Sequence, residues 1–231
     1  MKLSVIVPVY NEINTISNIL KKLIFSLKRI NSKIIIVDDC SIDGTREWLI
    51  KNIKKNQSNI IVVFKNKNEG KGSAIIEGIK YVKLNDLILI QDADLEYFPK
   101  DIPRLLNQIK KGYDVVFGNR FHKLSHYHYK TFALANFFIS KIVSILYLRK
   151  ISDVAVCYKI FHKKVINKIK INSKDFMFDF EFASKIIKNK KLKISEINIS
   201  YKGRTFKEGK KISWVDGFRA LFLILKIRIL G

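Results

Sequence analysis

Apolar residues recur along this chain with two different periods, and the first half alternates between them. Leu3 to Val9 is a nearly continuous apolar run with β-branched residues, as expected of a strand buried on both faces. Ile16, Ile19, Leu20, Leu23, Ile24 and Leu27 then fall at helical spacing, with lysines on the opposite side. Lys33 to Val37, Ile60 to Phe64 and Asp86 to Ile90 predict three further strands, and Asp114 to Phe117 a short fifth. Between them, Thr45 to Lys55 and Ser73 to Val82 predict helices. Strands and helices that alternate in this way imply right-handed crossovers. The expected fold is therefore α/β, a Rossmann-like, mostly parallel sheet with helices on both faces. Ligands of such sheets bind at the carboxyl ends of the strands, so the loops that leave the strands are where chemistry belongs.

Beyond residue 121 the pattern changes. Thr131 to Leu148 is apolar and aromatic but carries Lys141 at its middle, which would cost on the order of 3 kcal/mol at a bilayer centre. An interfacial helix fits better than a span. Residues 163 to 193 are lysine-rich around a Phe-Met-Phe-Asp-Phe-Glu-Phe core, and Trp214 to Leu230 is apolar round most of its circumference. No repeat or low-complexity linker divides the chain, and its 231 residues suit one large domain. That domain is expected over residues 1–212, with a hydrophobic helix over 213–231 that faces a membrane, a partner subunit or the protein's own core.

Composition changes the picture in two respects. The net charge of +24 invites a nucleic-acid reading, yet only eight of the 44 basic residues are arginines. Base and phosphate readout favours the arginine fork, so most of the lysines read as a solvated surface and no nucleic-acid partner is expected. Basic flanks also suit an anionic membrane surface. The two cysteines, Cys40 and Cys157, give no disulfide framework, and the apolar run ended by Pro8 is too short for a signal peptide. The expected location is cytoplasmic.

Three of the predicted strands run into acidic loops. They are Tyr10-Asn11-Glu12, Asp38-Asp39 followed by Cys40 to Thr45, and Gln91-Asp92-Ala93-Asp94-Leu95-Glu96. At one edge of a parallel sheet these carboxylates converge, which raises their pKa values unless a cation compensates. Asp92 and Asp94 lie two apart and point to one side of an extended strand end. Such hard oxygen ligands suit Mg²⁺ or Mn²⁺, which take one or two carboxylates together with substrate phosphates. The plainer reading makes Asp92-Ala93-Asp94 a polar strand exit with Asp94 capping a helix. Lys71, flanked by Gly70 and Gly72, is either a surface lysine or one that a ligand approaches closely.

Four ordered motifs carry a resemblance to the family 2 glycosyltransferases of the GT-A fold. They are Val5 to Glu12, Val37 to Thr45, Asn68 to Gly72, and Asp92-Ala93-Asp94. Later segments are similar to the dolichyl-phosphate mannose synthase branch and its bacterial polyprenyl-phosphate relatives: Gly118 to Phe121, Ser152-Asp153, Cys157 to Phe161, Phe178 to Glu181, and Tyr201 to Ile212. The sequence departs from that branch at Val154-Ala155-Val156, where a polar residue is usual.

The resemblance implies an inverting transferase that moves a hexose from a nucleotide sugar, GDP-mannose or UDP-glucose, to a polyprenyl phosphate at the cytoplasmic face of a membrane. Pro8, Tyr10, Glu12, Asp39, Lys71, Asp92 and Ala93 would line the nucleotide pocket, and Asp92 and Asp94 would hold the metal. Arg120, Lys130, Arg204 and Lys210 are the expected phosphate-binding residues. Asp94, Arg120, Asp153 and Glu181 are the catalytic candidates. Glu181 orients the sugar or acts as a base, or is simply an acid at a helix N-terminus. His122, His126 and His128 share a basic-aromatic loop suited to lipid headgroups. A family 2 enzyme with a saccharide or protein acceptor would instead need Asp153 or Glu181 as a general base. The alternatives from another class are a basic nucleic-acid-binding protein and a non-catalytic scaffold.

Overall fold

The structure, a computed structural model, describes residues 1–53, 59–121, 130–205 and 214–230. The apolar runs become strands because every second residue on either face finds a covering helix. In β1 (Leu3–Val9) six of the seven residues are buried. β2 (Ser32–Asp38), β3 (Ile60–Phe64) and β4 (Leu87–Ile90) pair parallel with β1 or with one another. Helices α1 (Ile16–Leu27), α2 (Thr45–Asn52) and α3 (Lys71–Ile79) make the crossovers, and the buried stripe of α1 is Ile16, Ile19, Leu20, Leu23 and Leu27.

A 3₁₀ turn (Pro99–Asp101) leads into α4 (Ile102–Lys110) and then β5 (Val115–Asn119). Next come α5 (Lys130–Leu146), β6 (Lys159–His162), the short α6 (Lys163–Ile166), α7 (Met177–Lys188), β7 (Ile194–Asn198) and α8 (Trp214–Leu230). The seven strands form one sheet in the order β3-β2-β1-β4-β6-β5-β7. It is mostly parallel, as expected; β6 alone runs against its neighbours, pairing antiparallel with both β4 and β5. Residues 120–158 therefore leave and rejoin the sheet at one edge, the carboxyl edge of β5.

α8 packs on α7 and α5. Its buried residues are Ala220, Ile224 and Ile227, and the Tyr147 hydroxyl donates to the Ile224 carbonyl at 2.9 Å. The boundary expected near residue 212 lies outside the described residues, as do Lys210 and His122, His126 and His128; the side chain of Lys130 is likewise not described. No helix among the described residues is long and apolar enough to cross a membrane.

Candidate functional site

The three acidic strand ends do meet. β1, β2 and β4 deliver Glu12, Asp39, Asp92 and Asp94 to one cavity of roughly 340 Å³. Each exit holds one non-glycine residue in the left-handed region: Asn11 at φ 55°, Cys40 at φ 66° and Leu95 at φ 65°. Such backbone is costly for a β-carbon residue and persists where surrounding contacts fix it, most often at functional sites. Here the fixing bonds are visible. The Asn11 amide donates to Ser41 Oγ at 2.9 Å, Asn11 Oδ1 accepts from the Ile42 amide at 2.9 Å, and Asp94 Oδ1 accepts from the Glu96 amide at 3.0 Å.

All seven residues expected in the nucleotide pocket line this cavity, and so do Asp94, Arg120 and Arg204. Pro8 and Tyr10 come from the end of β1. Asp39 is turned to the protein itself: it accepts from Lys65 Nζ at 2.5 Å and from the Gly70 amide at 2.7 Å. That bond fixes the turn before α3. Gly70 has φ +95°, and a β-carbon there would stand 2.7 Å from the Lys174 carbonyl oxygen. Only glycine combines that conformation with that approach. The helix consequently starts at Lys71, and the lysine points inward.

Lys71 Nζ lies 2.9 and 3.0 Å from the two carboxylate oxygens of Asp92 and 3.1 Å from Asp179 Oδ2. Burial works against its charge, but Asp179 and Asp92 outweigh it and hold its pKa well above the ordinary value. The surface-lysine reading is thereby excluded. Asp94 has the opposite imbalance. Burial first, then the charges of Asp92 and Glu96, push its carboxyl well above the usual range, and Arg204 only partly offsets them.

Arg204 reaches this cluster from the segment after β7. Its guanidinium meets Glu12 at 3.1 and 3.2 Å and Asp94 at 3.2 Å, and its backbone amide donates to Glu96 at 2.6 Å. Its buried Nε has no hydrogen-bond partner among the described residues. No three acidic, His or Cys side chains among the described residues are grouped tightly enough to hold a metal alone. Asp92, paired with Lys71, and Asp94, whose charge Arg204 only partly offsets, nevertheless fit a Mg²⁺ or Mn²⁺ whose remaining ligands are phosphates and water.

Two expected catalytic residues do not reach the cavity. Asp153 is fully buried and grips Arg120 in a fork, 2.6 Å to Nε and 2.7 Å to Nη2. It orients that arginine, which also meets the Tyr97 hydroxyl at 3.2 Å and lies over the Tyr201 ring. Glu181 faces the other way on α7, where its carboxylate accepts from the amides of Asn172 and Ser173 and pairs with Lys185 at 2.6 Å. It ties down the loop ahead of the helix and is not placed for chemistry. Asp179, two residues earlier, is the acid of that segment that does line the cavity. In the sequence it is one of two acids in a phenylalanine-rich run, and its pairing with Lys159 of β6 appears only in the fold.

The far half of the cavity has a different character. Phe132, Ala133 and Ile139 of α5 and Trp214 of α8 wall it, with Phe132 and Trp214 stacked at 4.8 Å. A charged pocket at the strand ends thus opens onto an apolar one between two helices.

Known proteins resemble this chain in sequence or in fold. The dolichol-phosphate mannosyltransferase of Pyrococcus furiosus is 28% identical over 235 residues, covering 98% of this chain and 64% of its own length. The undecaprenyl-phosphate 4-deoxy-4-formamido-L-arabinose transferase of Edwardsiella ictaluri is 39% identical over 115 residues, 49% of this chain and 35% of that one. This chain therefore spans less than two thirds of the length of these relatives. Among solved structures, glucosyl-3-phosphoglycerate synthase from Mycobacterium tuberculosis, in complex with Mn²⁺, UDP-glucose and phosphoglyceric acid, matches with a TM-score of 0.74. The match covers 100% of this chain and 80% of that one at 14% identity, a likeness of fold alone. The family profile described as glycosyl transferase family 2 matches residues 4–170, from β1 through β6, and the chain belongs to that family.

Proposed function

We propose that this protein is an inverting, metal-dependent glycosyltransferase that moves a hexose from a nucleotide sugar to a polyprenyl phosphate at a membrane surface. The observation that carries this reading is the two-ended cavity, with acids and their counter-cations at one end and an aromatic-apolar wall at the other. A nucleoside diphosphate with its cation suits the first end, and a lipid tail the second. The names of the relatives point the same way, since both act on polyprenyl-type phosphates. GDP-mannose is the first donor to test and UDP-glucose the second.

In the proposed reaction an acceptor phosphate oxygen forms a bond to the anomeric carbon while the bond from that carbon to the diphosphate oxygen breaks. The electron pair leaves with the nucleoside diphosphate. A phosphate monoester is already anionic near neutral pH, so no general base is required. That agrees with the commitments of the buried acids, because Asp153 serves Arg120, Glu181 serves a loop, and Asp179 is held by two lysines. An acceptor hydroxyl on a saccharide or protein would need a base that none of the three supplies. The cation held by Asp92 and Asp94 supplies charge neutralisation and orientation of the diphosphate. Arg204, already facing the same acids, is positioned to follow the diphosphate's charge, and Arg120 is assigned to the acceptor phosphate.

Membrane attachment is assigned to α5 and α8, which expose Leu134, Phe137, Phe138 and Ile145 on one helix and Phe218, Phe222 and Ile229 on the other. An aromatic-apolar face on a strongly basic protein suits the surface of an anionic bilayer. The test is incubation of the purified protein with a panel of nucleotide sugars, a polyprenyl phosphate and Mg²⁺ or Mn²⁺, with mass spectrometry of the lipid fraction. Sugar-phospholipid from one donor, lost with EDTA, is expected. Donor turnover that is indifferent to the lipid phosphate would overturn the acceptor assignment.

A further inference from the structure

Beneath the charged end of the cavity lies a chain of four alternating charges. Lys159, on β6, has no exposed surface, and its ammonium meets Asp179 Oδ1 at 2.6 Å. Among the described residues this is its one ion pair; the rest of its surroundings include the rings of Phe117 and Phe182 at 6.0 and 5.4 Å. The other oxygen of Asp179 holds Lys71 at 3.1 Å, and Lys71 in turn contacts Asp92. A buried lysine opposed only by one shared carboxylate is an expensive element of a core. Its cost is consistent with a task at the surface end of the chain.

We propose that Lys159 and Asp179 are positioning residues that set how tightly Lys71 covers Asp92, and hence how readily Asp92 accepts a divalent cation. The proposal rests on the reading of Asp92 as a cation ligand. Lys71 is shared between two carboxylates, and Asp179 is itself shared between two lysines. Weakening one link must therefore strengthen the next. Without Lys159, the full charge of Asp179 falls on Lys71, draws it from Asp92 and leaves Asp92 more available. Without both Lys159 and Asp179, Lys71 has Asp92 as its remaining acidic partner of the chain and covers it more completely. Burial and charge are consistent with this tension: burial pushes the Asp179 carboxyl up, yet Lys159 and Lys71 together hold it below the ordinary range.

The two variants to compare are Lys159→Met and the double variant Lys159→Met with Asp179→Asn. Neither leaves an unpaired charge in the core, and circular dichroism checks that both fold. Binding of Mn²⁺ to the nucleotide-free protein is read by electron paramagnetic resonance, with Asp94→Asn as the site control. Tighter binding in Lys159→Met and weaker binding in the double variant are expected, each by about tenfold, equivalent to about 1.4 kcal/mol. A merely structural role moves both variants in one direction, or neither, and that result overturns the proposal while leaving the cation reading intact. If wild type binds no Mn²⁺ with or without a nucleoside diphosphate, the cation reading itself fails, and the proposal with it.

Discussion

Gly72 offers the sharpest test of how the donor end is built. It is the second residue of α3, and a β-carbon there would lie 2.5 Å from the Ser173 carbonyl oxygen, 2.9 Å from the Lys174 carbonyl carbon and 3.0 Å from the Asp175 carbonyl oxygen. All three are backbone atoms, and the Ser73 amide donates to the Lys174 carbonyl at 2.8 Å, so the facing loop cannot move off cheaply. Overpacking of this kind costs roughly 1–3 kcal/mol, and the better helix propensity of alanine returns at most about 1. With backbone on the far side the upper part of that range applies, and Gly72→Ala is expected to lose about 2 kcal/mol. Gly217, within α8, is the control, because a β-carbon there meets nothing within 4 Å. Gly217→Ala should gain up to about 1 kcal/mol from propensity alone. Urea unfolding followed by circular dichroism reads both, and the Gly72→Ala midpoint should fall by about 1 M. Since α3 carries Lys71, its KM for donor should rise as well. A Gly72→Ala protein as stable as wild type would refute the reasoning that α3 is seated directly on the 173–175 backbone.

Three other outcomes follow from the same geometry. Asp94→Asn removes a carboxyl whose charge the free protein disfavours, so thermal stability should hold or rise while sugar transfer falls at least about 100-fold; near wild-type turnover sinks the cation assignment. Burial raises the Glu181 carboxyl, but Lys185 and Ser173 outweigh it and leave its pKa below that of an ordinary glutamate, so its stabilisation is present above the unfolded pKa and lost as pH falls through the folded value. The stability gap between wild type and Glu181→Gln, about 2 kcal/mol at pH 7, should therefore close in acid, as measured by urea unfolding across pH; a gap that widens in acid contradicts the assignment. Phe218→Asp with Phe222→Asp places two charges on the exposed face of α8 and should abolish sedimentation with anionic liposomes while the fold persists; unchanged sedimentation would move the membrane contact elsewhere.

Much of the donor half was legible in the sequence because its signals are local. A strand buried on both faces announces itself in Leu3 to Val9, and the acids at its end need only the rule that parallel strands share a carboxyl edge. The apolar spacing predicts a helix from Ser73, whereas α3 begins at Lys71, because the conformation of Gly70 lets the helix start there. β6 and β7 were not foreseen. Each is only four or five residues long, and Lys159 opens β6 with a charge that only a distant carboxylate explains. The same non-locality hid Asp179. On one helix, Asp179 and Glu181 point to different sides, and nothing in the sequence says which side faces the cavity. Asp153 resembled a catalytic acid because its commitment to Arg120, 33 residues away, is visible only after folding.

The reversed direction of β6 has a consequence for how such an enzyme diversifies. Because β5 ends and β6 begins at the same edge, everything between Asn119 and Lys159 is a single excursion whose two feet are close together. Its length, sequence and helix packing can drift without shifting the register of any strand, and it carries the apolar wall that α5 contributes to the cavity. The donor half has no such freedom, because its acids sit on strand ends whose spacing the hydrogen-bond ladder dictates. Under the proposed function, the apolar wall facing the acceptor can therefore be altered while the acid end keeps its geometry.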